Sequence, residues 1–187
     1  MKVLFLHLSD MHFVSDSSYT KKDCEEIANA VAAKIICPIS MIFLVLSGDI
    51  AFSGGAEEYN EAEKFVGELQ ASILGKVKID KEKIKVLLVP GNHDRQYPED
   101  RPDREDYESV LSRRKDEELK TYIDREFSMQ KNFFEFLKRE ECPYGESEKF
   151  LQRKVIEHEG FSFEFNLLNT APMSLLDADD RGLHYLP

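Results

Sequence analysis

The sequence has few of the features that mark secreted, membrane-spanning or repetitive proteins. It contains three cysteines, Cys24, Cys37 and Cys142, which is an odd number with no CxxC pair. Free thiols in a reducing compartment are the simplest account of this number. No apolar run approaches the ~18 residues of a membrane span, and the first apolar run is too short for a secretory signal. We therefore expect a cytoplasmic protein that does not interact with a membrane.

Basic residues are also scarce relative to acidic ones. Thirty-six Asp and Glu residues against twenty-five Lys and Arg residues give a formal net charge of -11. This charge argues against a general attraction to nucleic acid or to an anionic membrane, but it leaves open a nucleic-acid substrate held at a metal site. The 42% apolar content and the length of 187 residues are typical of one globular domain with a real core.

Three short apolar runs predict the strands of one parallel sheet. They cover residues 3–8, 42–46 and 86–89, and each is followed by a polar or glycine-containing loop. Amphipathic helices fit the intervening residues 21–35 and 57–74, where apolar side chains recur at three- and four-residue steps. Strands and helices that alternate in this order imply parallel pairing with right-handed crossovers, and hence an α/β fold.

The composition changes after the third predicted strand. Residues 95–141 are dominated by charged side chains, with a narrow apolar stripe in their second half, and predict a helical insertion. We expect this insertion to lie on the domain rather than inside it, either as a solvated helix or as a lid over a ligand site. A hairpin follows from Phe150 to Leu168, with its turn at residues 158–160, and residues 169–187 predict a loop with one short helical turn.

Side chains that can bind metal follow each predicted strand at its C-terminal end. Asp10 and His12 follow the first strand, Asp49 follows the second, and Asn92 and His93 follow the third. In open α/β sheets ligands bind at these strand ends. Residues two apart in an extended chain also point the same way, so the first pair could reach one cation. We expect the five side chains to form one convergent site.

The ligand types at this site favour a catalytic metal centre. Oxygen and nitrogen ligands without a thiolate suit Mn²⁺, Fe or Zn²⁺ better than a purely structural zinc. The carboxylate of Asp49 has two oxygens and can bridge two ions, and Asn92 offers a neutral carbonyl oxygen to the second. Two ions about 3.5–4 Å apart would clamp the attacking and leaving oxygens of a phosphoryl centre. His93 is placed to meet the substrate and to protonate a leaving alkoxide.

Order and placement of these residues resemble a known family. Asp10-Met11-His12, Gly48-Asp49 and Gly91-Asn92-His93-Asp94 look like the first three motifs of the calcineurin-like metallophosphoesterase superfamily. The resemblance covers at least residues 1–94. Within the superfamily, the stretches around the first two motifs are most similar to the class III cyclic-nucleotide phosphodiesterase branch.

The resemblance implies a fold, a site and a class of substrate. The family fold is a β-sandwich flanked by helices, with a dinuclear metal site at strand ends. Asp10 and His12 would bind the first metal, Asp49 would bridge, Asn92 would bind the second metal, and His93 would be the catalytic histidine. Two divalent ions, foremost Mn²⁺, would be the cofactors. The substrate would be a phosphorylated small molecule, a cyclic nucleotide or a nucleic acid.

One departure from the family pattern leaves two hypotheses open. The pattern continues with a later histidine and then G-H-x-H, but only His158 and His184 follow the third motif here, and we assign neither as a ligand. We expect residues 1–187 to be one C-terminally incomplete domain, with further domains possible after Pro187 and weak activity in this chain alone. The first hypothesis is a metal-dependent hydrolase of phosphomonoesters or phosphodiesters. The second is a catalytically impaired binding or regulatory module on the same fold.

Overall fold

Strands and helices alternate along the first half of the chain, as the sequence predicts. The computed structural model describes residues 1–16, 19–97, 116–142, 145 and 148–174. In these ranges the chain forms five strands, four helices and two short 3-10 turns. Within them, no helix combines the length and the apolar character that crossing a membrane requires.

Three parallel strands form the main sheet. β1 (Val3–Leu8), β2 (Met41–Ser47) and β3 (Ile84–Val89) pair in the order β1-β2-β3, so β2 is central. The observed β2 and β3 extend the predicted strands by one or two residues at their ends. Most of β2 is buried, because this central strand is covered on both faces. Its nearly continuous apolar sequence is typical of such a strand.

Two helices cover one face of this sheet. α1 (Lys21–Lys34) and α2 (Ala56–Lys76) pack their apolar stripes against the β2 side chains Ile42, Leu44 and Leu46. α1 begins at a capping box, in which the Thr20 hydroxyl accepts a hydrogen bond from the Asp23 N–H and the Asp23 carboxylate accepts one from the Thr20 N–H. The α1 and α2 segments therefore follow the predicted helices closely.

An antiparallel hairpin covers the opposite face of the sheet. β4 (Leu151–His158) and β5 (Phe161–Leu168) pair along their whole length. The rings of Phe163 and Phe165 lie 5.1 and 4.8 Å from that of Phe43 on β2, between centroids. This α/β arrangement, with a second sheet on one face and helices on the other, is consistent with the helix-flanked β-sandwich that the motif resemblance implies.

The hairpin turn lies within the predicted residues 158–160. Glu159 and Gly160 both have positive φ, at 49° and 78°, as a two-residue hairpin turn requires. The His158 side chain is only 15% exposed, because the register places it on the face that packs against the sheet. Phe161 lies at the end of that face and is 56% exposed.

The charged insertion contributes to the core instead of lying on the surface. Its described part forms α3 (Asp116–Met129) and α4 (Lys131–Arg139), which confirms a helical insertion there. Phe133, Phe136 and Leu137 of α4 are fully buried in the main core. Their three- and four-residue spacing makes one apolar face, and α2 supplies the surface that covers it. The predicted surface position is therefore wrong for α4.

Two further predictions from the sequence concern stretches outside the described residues. These stretches are residues 98–115 of the predicted insertion and residues 175–187 of the predicted terminal loop, which include His184. The described start of that loop contains one 3-10 turn, Ala171–Met173, and another such turn, Lys81–Lys83, precedes β3.

The end of α4 makes the stability of the fold depend on pH. Burial, together with the negative charges of Glu63 and Glu141, raises the pKa of Glu140 to about 7, although Arg139 and Lys81 oppose the shift. A carboxyl group with a raised folded-state pKa favours folding while it is protonated. Its contribution is complete below the unfolded-state pKa and is lost as the pH rises through about 7.

Glu140→Gln should therefore stabilise the protein at pH 8 by about 1–2 kcal/mol, after allowance for solvent screening, and change little at pH 4.5. Urea unfolding of both proteins at the two pH values measures this difference. Glu135→Gln is the control, because Glu135 is on the same helix and its pKa is lowered by Lys138. If Glu140→Gln changed the free energy of unfolding by the same amount at both pH values, the raised pKa of Glu140 would be refuted.

Candidate metal centre

The loops after β1 and β2 continue side by side beyond the ends of the strands. The Asp10 N–H donates to the Gly48 carbonyl at 3.2 Å, and the His12 N–H donates to the Asp49 carbonyl at 2.9 Å. One residue further, Phe13 forms an isolated parallel bridge with Ala51. The pairing of β1 with β2 therefore extends into the loops that carry the first two motifs and fixes them relative to each other.

Three motif residues adopt a backbone conformation that non-glycine residues rarely adopt. Asp10, His12 and Asp49 have φ values of 55°, 48° and 51°. Each such residue costs on the order of 1–3 kcal/mol and persists only where its surroundings hold it, and such residues cluster at functional sites. The directions of the Asp10 and His12 side chains are therefore set by the left-handed loop. The alternation of an extended strand, from which we expected both to point the same way, does not apply to them.

The structure brings three of the five predicted residues together. His12, Asp49 and His93 each offer one ligand atom, and these atoms lie within 4.8 Å of one another. The rings of the two histidines are nearly perpendicular, with centroids 4.5 Å apart. Asp10 is exposed and is not a member of this cluster. Asn92 lies in the same loop as His93, partly buried.

Hydrogen bonds fix both the backbone and the ring of His93. Its backbone N–H donates to Asp49 Oδ1 at 3.0 Å, and its Nδ1 lies 2.6 Å from the Phe52 carbonyl oxygen. A carbonyl oxygen can only accept, so Nδ1 carries a hydrogen. The other ring nitrogen, Nε2, is then the atom through which His93 can bind a ligand or transfer a proton.

Gly91 is required by a close contact and not by its φ angle. Among the described residues only Gly48, Gly54 and Gly160 are glycines with positive φ. A Cβ atom on Gly91 would lie 2.1 Å from Asp49 Oδ1 and 2.4 Å from the Asp49 nitrogen. The absence of a side chain therefore lets the third loop approach the carboxylate of the second.

Asp94 is a buried anchor to which the sequence analysis gave no role. Its carboxylate is fully buried and accepts hydrogen bonds from the N–H groups of Ile50, Ala51 and Gly91, at 3.1, 2.8 and 2.8 Å, and from the Tyr59 hydroxyl at 2.9 Å. Burial raises its pKa to about 6, although the four donors oppose the shift. Its place as the last residue of the third motif was the one feature of the sequence that could have pointed to this role.

A buried ion pair continues this linkage into the insertion. The guanidinium of Arg95 pairs with the carboxylate of Glu126 on α3, and both residues are almost fully buried. The same guanidinium donates to the carbonyls of Ala171 and Ser174, at 3.0 and 2.7 Å. Burial raises the pKa of Glu126, and the charge of Arg95 acts in the opposite direction. The third-motif loop is thereby joined to α3 and to the turn after β5.

The insertion also contacts the loop between Asp49 and α2. Asn132 on α4 donates from Nδ2 to the Gly54 carbonyl at 2.8 Å. Gly54 has a φ of 72°, and a Cβ atom there would lie 2.6 Å from the Arg95 carbonyl carbon. The loop after the second motif is therefore enclosed by the third-motif loop and by α4.

The residues at the centre fit a divalent metal. His12 Nδ1 is buried and, in the part of the chain that the structure describes, has no hydrogen-bond partner. A buried polar atom left without a partner is costly, and metal coordination is one way to satisfy an imidazole nitrogen. With the Asp49 carboxylate it gives the mixed nitrogen and oxygen set that Mn²⁺, Fe and Zn²⁺ accept.

Comparison with known proteins assigns the whole region to one family. The family model described as calcineurin-like phosphoesterase matches residues 3–181. The match spans the three motif loops, the insertion and the hairpin. A search of curated proteins found no match to the chain.

Gly91→Ala tests the close contact at the centre. The added methyl group overlaps Asp49, so we expect weaker Mn²⁺ binding and a loss of roughly 1–3 kcal/mol in unfolding free energy. Calorimetry with Mn²⁺ and urea unfolding measure the two effects. The control is Gly67→Ala on α2, where a Cβ atom meets nothing within 4 Å, and which should stabilise the helix by roughly 0.5–1 kcal/mol. Wild-type metal affinity in Gly91→Ala would contradict the structure.

Proposed function

The chain belongs to the calcineurin-like phosphoesterase family, and from that premise we propose that it is a metal-dependent phosphoesterase. It hydrolyses a phosphomonoester or a phosphodiester. The observation that carries the proposal is the approach of His12, Asp49 and His93, whose ligand atoms lie within 4.8 Å of one another. Strained backbone at two of these residues supports it, because such strain clusters at functional sites.

In this proposal four residues would hold two divalent ions, Mn²⁺ foremost. His12 and Asp49 are brought together at the centre. The remaining ligands would be Asp10, on the loop of His12, and Asn92, on the loop of His93. When bound, the ions supply Lewis acidity at the phosphoryl oxygens and lower the pKa of a bound water. The close approach of the third loop to Asp49, which the missing side chain of Gly91 allows, supports a centre shared between the two loops.

His93 is the proposed general acid. The Phe52 carbonyl holds the hydrogen on Nδ1, so a proton delivered to a leaving alkoxide would come from Nε2. The hydrogen bond from the His93 backbone N–H to Asp49 Oδ1 fixes the histidine relative to the proposed bridging carboxylate. Such positioning matters because a general acid must lie within hydrogen-bond reach of the atom that it protonates.

A binding or regulatory module is the second candidate. It is favoured by one observation, the absence of a G-H-x-H sequence among the 187 residues, since the resemblance leads us to expect further histidine ligands there. Such a module would bind metal and phosphate at the same residues without turnover. Binding and hydrolysis therefore have to be measured on the same preparation.

Asp49→Ala separates the two candidates. We expect Mn²⁺-dependent hydrolysis of bis-p-nitrophenyl phosphate by the wild type, and a loss on the order of 100-fold in the variant, because the proposed bridging ligand is removed. Asp124→Ala, on the exposed surface of α3, is the matched control and should keep the wild-type rate. Equal rates in Asp49→Ala and wild type would exclude hydrolysis at this centre. A wild type that binds Mn²⁺ and phosphate without turnover supports the binding module.

A further inference from the structure

Phe52 presents a large apolar ring to solvent beside the candidate metal centre. The residue is 53% exposed, and its ring centroid lies 5.7 Å from that of His93 and 6.1 Å from that of His12. A single exposed phenylalanine on a protein surface is ordinary. Next to the two imidazoles of the candidate metal centre, the same ring adds an apolar contact surface to a polar centre.

Hydrogen bonds hold the main chain at Phe52 in place. The Phe52 N–H donates to the Phe13 carbonyl at 3.0 Å, and the Phe52 carbonyl accepts from His93 Nδ1 at 2.6 Å. The next residue, Ser53, donates from its N–H and its hydroxyl to the Glu58 carboxylate, at 2.9 and 2.7 Å. A ligand that contacts the ring therefore does not have to order the loop first, which lowers the entropic cost of binding.

An exposed aromatic face on a hydrogen-bonded loop is suited to stacking against another flat ring. Nucleobases and aryl groups bury apolar area on such a face and gain dispersion contacts, whereas a small aliphatic alcohol covers little of it. The net charge of -11 disfavours a long polyanion and favours a small phosphorylated molecule.

From these contacts we propose that Phe52 determines specificity by stacking against a flat ring in the organic part of the substrate. The substrate class is then a phosphoester that carries a nucleoside or an aryl group, in preference to one that carries an aliphatic group. The inference rests on the proposed phosphoesterase function for the position of the phosphate. Binding can nevertheless be measured without turnover.

Calorimetry in the presence of Mn²⁺ tests the inference with three probes. They are adenosine monophosphate, phenyl phosphate and glycerol phosphate, titrated into wild type, Phe52→Ala and Phe52→Tyr. We expect Phe52→Ala to reduce the preference for a ring-bearing probe over glycerol phosphate on the order of tenfold, and Phe52→Tyr to retain it. Phe161→Ala is the control, because Phe161 is equally exposed, at 56%, but lies at the hairpin turn.

Each outcome decides the inference. If Phe52→Ala loses preference for adenosine monophosphate alone, the ring that stacks is that of a nucleoside. If it loses preference for phenyl phosphate alone, the ring is an aryl group. Either result supports the stacking role. An unchanged preference in Phe52→Ala, a wild type without preference, or no binding of any probe overturns it. Hydrolysis of the same probes is followed separately. A Phe52-dependent preference without turnover keeps the stacking surface and rejects the phosphoesterase activity.

Discussion

The buried carboxylate of Asp94 is the contact on which the candidate centre depends. It joins the loop after β2, the loop after β3 and helix α2 through four hydrogen bonds. Taking a carboxylate out of water costs several kcal/mol unless hydrogen bonds compensate it, and here every donor belongs to a segment that carries or supports a motif. Loss of this group would separate the segments that position Asp49 and His93.

The surrounding contacts have the same effect of holding the loops rigidly. Gly91 lets the third loop touch Asp49, and three residues of the first two motifs are held in left-handed conformations. The buried pair of Arg95 and Glu126 extends the linkage into α3. Strain that the surroundings maintain is a common property of preorganised sites, so the loops resemble a rigid framework for a ligand more than ordinary surface turns.

Local features of the fold were predictable from the sequence, whereas contacts between distant segments were not. The strands, α1 with its Thr20 cap, α2 and the hairpin follow from periodicity, capping and turn residues, which act within a few positions. The motif residues were found because each follows a strand. The burial of α4, the partners of Asp94 and the contact of Gly91 with Asp49 depend on segments tens of residues apart. Phe52 is a single aromatic residue in a loop, so no periodic pattern singled it out.

Anomalous diffraction from crystals grown with Mn²⁺ tests the central claim most directly, that the three loops assemble a metal centre. Maps recorded on either side of the manganese absorption edge locate the ion independently of any activity. The structure predicts a manganese peak in contact with His12 and Asp49. Ordered density for both side chains with no peak between them, or manganese bound only at carboxylates elsewhere on the surface, would contradict the account.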